Sequence, residues 1–141
     1  MKLTKRYVRD VRDVVVVEIH GKLLGVQDDV DLFHGCIRSL IEDGYNKIVI
    51  SLRRTPFADT LGIGMLIGGL ASAKNSGGDL VLSHVGTRID KILKVTRLNL
   101  ILKTYASVAE AVGALSATAT DGVASVPGVG ISPGYVSHRL V

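Results

Sequence analysis

The chain has 141 residues, and its composition of 47% hydrophobic and 21% charged residues is typical of a soluble globular protein. Only 4% of the residues are aromatic and none is tryptophan, so we expect no stacking platform for bases or sugars. The net charge of +4 is mild, and the basic residues are mostly interleaved with acidic ones, which argues against a nucleic acid partner.

The chain also lacks the usual signs of an oxidising or membrane environment. Cys36 is the only cysteine, which excludes an intrachain disulfide and a zinc site built from several cysteines. The first residues are not followed by the apolar stretch of a signal peptide. The longest run of low polarity, residues 61–73, is shorter than the ~20 residues that a membrane span needs. We therefore predict a cytoplasmic protein with no membrane partner.

Two strand-like runs open the chain. Leu3–Val8 and the β-branched run Val14–Ile19 flank a short charged segment that can turn, which predicts an antiparallel pair. A helix is predicted next, because Asp28 and Asp29 place negative charge at its start and Gly44 is positioned to end it. Its apolar residues recur at helical spacing: Val30, Phe33, Ile37, Leu40 and Ile41.

The middle of the chain alternates between strands and helices. Lys47–Leu52 is predicted to be a buried strand, and a loop containing Pro56 leads to a second helix over Asp59–Asn75. Leu80–Leu82 is predicted to be the next strand, followed by a third helix over about Thr87–Leu98.

The last elements are short. Leu100–Leu102 is predicted to be an edge strand, and Ser107 and Glu110 have the spacing of a capping box that opens a helix to about Leu115. The whole order requires crossover connections, so we predict an α/β domain with a mixed sheet, an N-terminal antiparallel hairpin and about four helices. Residues 1–116 form this domain in our interpretation, and residues 117–141, rich in Ala, Thr, Gly, Ser and Pro, form a flexible tail.

The segment DTLGIGM, residues 59–65, lies at a predicted strand-to-helix corner. Either Asp59 or Thr60 can cap the helix, since a short oxygen-bearing side chain accepts hydrogen bonds from free backbone N–H groups. From the residues alone, a capping role is the commoner explanation for Thr60. Glycine costs roughly 1 kcal/mol relative to alanine inside a helix, so we expect close packing of this helix on the sheet. The glycines concerned are Gly62, Gly64, Gly68 and Gly69.

This corner resembles the signature of STAS domains, especially bacterial anti-sigma factor antagonists, which carry Asp-Ser/Thr-Ser-Gly-hydrophobic-Gly here. The similarity runs from the first hairpin through Gly21–Leu23, Ala73–Leu80 and Ile92–Leu98, and covers nearly all of residues 1–115. The resemblance implies a STAS-like fold without cofactor or metal. It also implies a non-enzymatic regulator that controls sigma-factor-dependent transcription by exchanging partners.

The resemblance further implies a phosphorylation switch at Thr60. The partner would be an anti-sigma factor that is also a serine kinase; it would bind the unphosphorylated protein and release the phosphorylated one. A PP2C-type phosphatase would reverse the modification, and the protein itself would be a monomer or a homodimer. The residues expected to contact the partner are Asp59, Leu61, Gly62, Ile63, Met65, Arg88, Lys91 and Lys94.

Two positions depart from the family pattern. Leu61 stands where the family usually has a second small hydroxyl residue, and Leu24 stands where many antagonists have Asp. A second interpretation therefore stays open, in which the chain is an unphosphorylated STAS scaffold subunit of a signalling or transporter complex. A third is a domain that binds a small ligand, such as a nucleotide, at the glycine-rich corner.

Other patterns carry less information. Arg88, Lys91, Lys94 and Arg97 recur every third residue, which is most often a solvated helix face and otherwise a docking surface for an acidic partner. Cys36 follows the helical pattern and is predicted to be a packed thiol. The four histidines are isolated and no catalytic constellation stands out, so we do not predict an enzyme.

Overall fold

The structure, a computed structural model, describes residues 1–8 and 11–125, with side chains up to residue 116. Its elements follow the predicted alternation, with one added 3-10 turn, η1, at Leu98–Leu100. The strands are β1 (Lys2–Tyr7), β2 (Val14–His20), β3 (Lys47–Ser51), β4 (Asp79–Ser83) and β5 (Thr104–Tyr105). The helices are α1 (Gln27–Glu42), α2 (Thr60–Asn75), α3 (Thr87–Val95) and α4 (Val108–Ser125).

The strands form one sheet in the order β1-β2-β3-β4-β5. β1 and β2 pair antiparallel, with Lys2 opposite His20 and Tyr7 opposite Val15, and each later strand joins its predecessor in parallel. The predicted mixed sheet with a leading hairpin is confirmed. Since β3 and β4 are parallel neighbours, α2 and α3 both begin at the carboxyl edge of the sheet, where those strands end.

Both faces of the sheet are covered, which explains the unbroken run of valines in β2. Val15 and Val17 point into the larger core, where α1, α2 and α3 pack. Val14 and Val16 point to the opposite face, where α4 packs through Ala111 and other apolar residues. A strand that is buried on both sides has no polar face, so its sequence does not alternate.

The segment after α3 differs from the prediction. Leu100–Leu102 is not a strand; the chain turns through η1, and the edge strand is formed instead by Thr104–Tyr105. The backbone N–H of Leu102 donates to the carbonyl oxygen of Leu98 at 2.8 Å, which closes a helical turn instead of a ladder with β4. Leu102 is fully buried and Leu98 packs against the same core, so these leucines follow a helical and not a strand period.

Two helix ends also differ. Helix α3 ends at Val95, three residues before the predicted Leu98. Helix α4 continues to Ser125, well beyond the predicted end at Leu115, and the rest of the predicted tail lies outside the described residues. Among the helices that the structure describes, none combines the length and the apolar character that crossing a bilayer demands.

Candidate functional site at the start of helix α2

The loop between β3 and α2 is held against the segment that follows β2. The backbone N–H of Leu23 donates to the carbonyl oxygen of Phe57 at 2.8 Å, and the N–H of Asp59 donates to the carbonyl oxygen of Leu23 at 3.2 Å. Leu23 and Ala58 form an isolated parallel bridge, and both are fully buried. The hydroxyl of Thr55 donates to the carbonyl oxygen of Ile19 at 2.8 Å. These bonds fix the place at which α2 begins.

Asp59 is the residue that caps α2. Its backbone is extended, with φ −98° and ψ 178°, and its carboxylate accepts a hydrogen bond from the N–H of Gly62 at 2.6 Å. This is the N-cap geometry in which a side-chain oxygen satisfies a backbone donor that has no partner within the helix. Of the two capping candidates, the structure therefore selects Asp59. Thr60 is therefore the first residue of the helix, and its hydroxyl takes no part in capping.

Thr60 and Leu61 form the exposed part of the corner. Thr60 is exposed, and its hydroxyl makes no hydrogen bond to another described residue. The side chain of Leu61 is 67% exposed although leucine is apolar. No acidic residue lies in the first turn of α2 after the cap, and the free N–H groups of a helix start favour an anion. The corner can therefore accommodate a phosphate on Thr60.

The glycines of α2 serve several contacts, not the sheet packing alone that the sequence suggested. A β-carbon on Gly62 would overlap the carbonyl oxygen of Leu23. Gly68 faces the His34 ring on α1, and Gly69 faces side chains of α1 and β4. Gly64 faces open space, and nothing in the structure explains it. The approach at Gly62 is filled by the protein's own backbone, so it offers no cradle for a nucleotide phosphate.

Three of the predicted contact residues lie inside the domain. Ile63 is fully buried, Met65 is 3% exposed, and both belong to the larger core, while Gly62 is also buried. The side chains of Ile63 and Met65 are closed to a partner in this fold, so these three residues are not included in the partner surface proposed below. The accessible residues of the corner are Thr60 and Leu61, with Asp59 partly exposed.

The basic residues of α3 are exposed but are spread along the helix. Arg88 lies in its first turn, at the edge of the sheet where α2 also begins. Lys94 lies in the last turn, about 9 Å further along the axis, and pairs with Asp90 at 2.9 Å. Arg97 lies beyond α3 in the left-handed conformation, with φ +62°. The structure thus brings Arg88 to the edge that carries Thr60 and leaves Arg97 off the helix.

An ion-pair cluster at the same edge was not predicted. The carboxylate of Glu18 lies 3.7 Å from Nε of Arg53, 3.5 Å from Nε of Arg54 and 3.3 Å from Nε2 of His20. The cluster ties the loop before α2 to the end of β2. Because the arginines are more than half exposed, its contribution to stability is modest. Glu18 and His20 share one side of β2, but only the pairing of β2 with β3 brings Arg53 and Arg54 to them, and the sequence carries no periodic signal for that pairing.

Cys36 is the packed thiol that the sequence predicts. It is partly buried against the larger core. Burial raises the pKa of its thiol above the ordinary value of 9.0, and the charge of Lys5 opposes that rise. The thiol is therefore protonated at neutral pH. Among the side chains described, those of residues 1–8 and 11–116, no three of His, Cys, Asp or Glu come together as metal ligands.

Sequence comparison places these features in a known context. Residues 6–111 match the family profile of the STAS domain. A Thermotoga maritima protein, provisionally named an anti-sigma factor antagonist, is 27% identical over 99 residues, which cover 70% of this chain and 88% of that protein. A Thermotoga neapolitana protein of similarly provisional name is 28% identical over 101 residues, or 72% of this chain and 88% of that protein.

Solved structures agree with the sequence comparison. The crystal structure of a T. maritima protein, again provisionally named an anti-sigma factor antagonist, superposes with a TM-score of 0.70 at 25% identity, over 80% of this chain and 93% of that chain. The phosphorylated form of the Bacillus cell fate determinant SpoIIAA superposes with a TM-score of 0.61 at 19% identity, over 79% of this chain and 97% of that chain. At that identity, the second likeness shows a shared fold alone.

Proposed function

The chain belongs to the STAS domain family, and we propose that it is an anti-sigma factor antagonist whose partner binding is switched by phosphorylation of Thr60. The observation that carries the proposal is the exposed hydroxyl of Thr60 at the first residue of α2, which has no hydrogen bond to any other residue that the structure describes. In this proposal the unphosphorylated protein acts in the cytoplasm, where it binds an anti-sigma factor that is also a serine kinase and so frees a sigma factor. A PP2C-type phosphatase resets the switch. The protein binds and does not catalyse.

The switch follows from where the phosphate would lie. Phosphorylation adds about −1.5 to −2 charges at neutral pH, and the start of a helix tolerates such an anion, so the domain stays folded. A partner packed over Thr60 would have to desolvate the phosphate beside the carboxylate of Asp59. A penalty of about 2.8 kcal/mol already weakens binding a hundredfold, which is enough for the partner to be exchanged.

The proposed partner surface is smaller than the sequence suggested. It consists of Thr60 and Leu61 at the corner, Asp59 beside them, and the exposed basic residues Arg88 and Lys91 on α3. Leu61 supplies an apolar contact next to the hydroxyl, so the partner binds over the same small area that it phosphorylates. Lys94 lies furthest from the corner and already pairs with Asp90, so we expect it to contribute least.

The test is phosphorylation by the cognate kinase with ATP. We expect one phosphate per chain on Thr60, and Thr60→Ala should abolish it. Thr87 is a matched control, since it is also the exposed first residue of a helix, and Thr87→Ala should be phosphorylated normally. Partner binding should survive ATP in Thr60→Ala and be weak in Thr60→Glu. Phosphate on another residue, or none, would refute the switch.

The scaffold alternative is favoured by one observation, the exposed Leu61 where the family usually carries a small hydroxyl residue. A permanent interface would keep the leucine beside Thr60 covered, whereas a kinase that binds only briefly would leave this apolar side chain exposed to water. Light scattering separates the two: a switched antagonist should be a monomer or a dimer, and a scaffold should assemble further and remain unphosphorylated.

A further inference from the structure

Exposed apolar residues at the end of the basic helix α3 and just after it form what we call the apolar knob. It consists of Val95, Leu100 and Ile101, which are 75%, 74% and 52% exposed. Leucine, isoleucine and valine are among the residues most often buried, so three of them exposed within seven positions form an unusual surface. Neither the phosphorylation site nor the proposed partner surface uses these residues.

Two leucines that pack against the core, one on each side of Leu100 and Ile101 in the chain, hold the knob in place. Leu102 is fully buried and Leu98 packs against the same core, one helical turn apart. The N–H of Ile101 donates to the carbonyl oxygen of Leu98 at 3.0 Å, and the N–H of Leu100 to that of Arg97 at 3.2 Å. With Leu98 and Leu102 anchored inward, Leu100 and Ile101 cannot turn into the core. The exposure is therefore built into the local fold.

The charged residues that flank the knob along the chain are all basic. From residue 91 to residue 109 the chain contains four basic residues and no acidic one. All four are exposed: Lys91, Lys94, Arg97 and Lys103. Asp90 neutralises Lys94 in part. A twofold contact between two copies would bring like charges face to face, which is repulsive, so the charge pattern calls for an anionic occupant.

We propose that the knob and the four basic residues that flank it in the chain bind an anionic lipid surface. Aliphatic side chains enter the boundary between headgroups and acyl chains, and lysine and arginine are attracted to acidic lipids. An acidic protein fits less well: three of the four cations are lysines, which are depleted at protein interfaces. Binding hot spots in such interfaces favour Trp, Tyr and Arg over the leucine and valine found here.

The proposal does not rest on the phosphorylation switch, although Lys91 belongs to both of the proposed surfaces. Helix α3 begins at the carboxyl edge of the sheet, where α2 and Thr60 also begin, and the chain returns toward that edge after the knob. There the carbonyl oxygen of Lys103 accepts a hydrogen bond from the N–H of Leu82, near the end of β4, at 2.9 Å. The sequence predicts no membrane partner, because no segment is long enough to span a bilayer. The proposal differs from that prediction: the protein would bind the surface of a membrane without crossing it.

The test uses the full chain and vesicles of phosphatidylcholine with or without phosphatidylserine, separated by sedimentation. We expect binding only when phosphatidylserine is present, and weaker binding at high salt because salt screens charges. Leu100→Ser with Ile101→Ser should lower the affinity roughly tenfold. Replacing Lys91, Arg97 and Lys103 by Gln should lower it about a hundredfold. Leu32→Ser removes an exposed leucine from α1 and should leave binding unchanged.

Other outcomes would overturn the proposal. Equal binding to neutral vesicles, or no binding to either, would remove it. If Leu32→Ser lowered the affinity for vesicles as much as the two substitutions in the knob, binding would not be located at the knob. Binding to a poly-glutamate peptide without binding to vesicles would point to an acidic protein, and a dimer lost in Leu100→Ser would point to a second copy. Circular dichroism shows that each variant is folded before vesicles are added.

Discussion

The carbonyl oxygen of Leu23 occupies the space in which a β-carbon on Gly62 would lie. This contact joins the segment after β2 to the first turn of α2, and the hydrogen bond from Asp59 to the same oxygen lies beside it. A backbone oxygen cannot rotate away as a side chain can. The place of Thr60 at the surface therefore depends on a residue almost 40 positions earlier in the chain.

Gly62→Ala should destabilise the domain by about 1–3 kcal/mol, because the new methyl group must displace the backbone of Leu23. Gly64→Ala is the matched control in the same helix: Gly64 faces open space, and alanine there should stabilise the protein by roughly 0.5–1 kcal/mol. Urea unfolding measures both changes. A neutral or stabilising effect of Gly62→Ala would show that the backbone of Leu23 can move aside at little cost in free energy.

Asp59→Ala should destabilise the domain by about 1 kcal/mol, because the N–H of Gly62 loses its acceptor. Asp59→Asn keeps an oxygen acceptor and should lose much less. Ser107→Ala is the control, since Ser107 caps α4 and accepts from the N–H of Glu110 at 3.1 Å. Thermal unfolding measures stability in all three variants.

The same variants separate the role of Asp59 in stability from its role at the corner. Removal of either cap should lower stability by a similar amount, but only Asp59→Ala should slow phosphorylation of Thr60 by the cognate kinase. Equal slowing in Ser107→Ala would mean that the kinase responds to stability in general and not to the geometry of the corner.

Cys36 should make stability fall with alkaline pH. Burial raises the pKa of the thiol above 9.0 in the folded state, so the unfolded chain releases the proton first. The contribution is fully present below the thiol pKa of the unfolded chain and is lost as pH rises through the pKa of the folded state. Urea unfolding at about pH 7.5 and about pH 10 should show a larger loss for the natural chain than for Cys36→Ala. Identical losses would contradict the raised pKa.

Periodicity predicted much of this fold. The β-branched run in β2, the spacing of Phe33 and Ile37 in α1 and the capping box at Ser107 all appear where the sequence placed them. These signals are local, since each depends on residues a few positions apart. The segment after α3 was misread because a short apolar run suits a strand or a turn equally well, and only contact with the core decides between them.

The sequence by itself determined the order of the main strands and helices, the mixed sheet and a helix start at Asp59 or Thr60, because these follow from hydrophobic period, charge and capping chemistry within short stretches. Only the tertiary structure decided which neighbours face outward: Thr60 and Leu61 lie at the surface while Ile63 and Met65 are core, and Leu100 is exposed while Leu102 is buried. The physical reason is that exposure depends on what the rest of the chain packs against each position, and that packing is not encoded in any one segment.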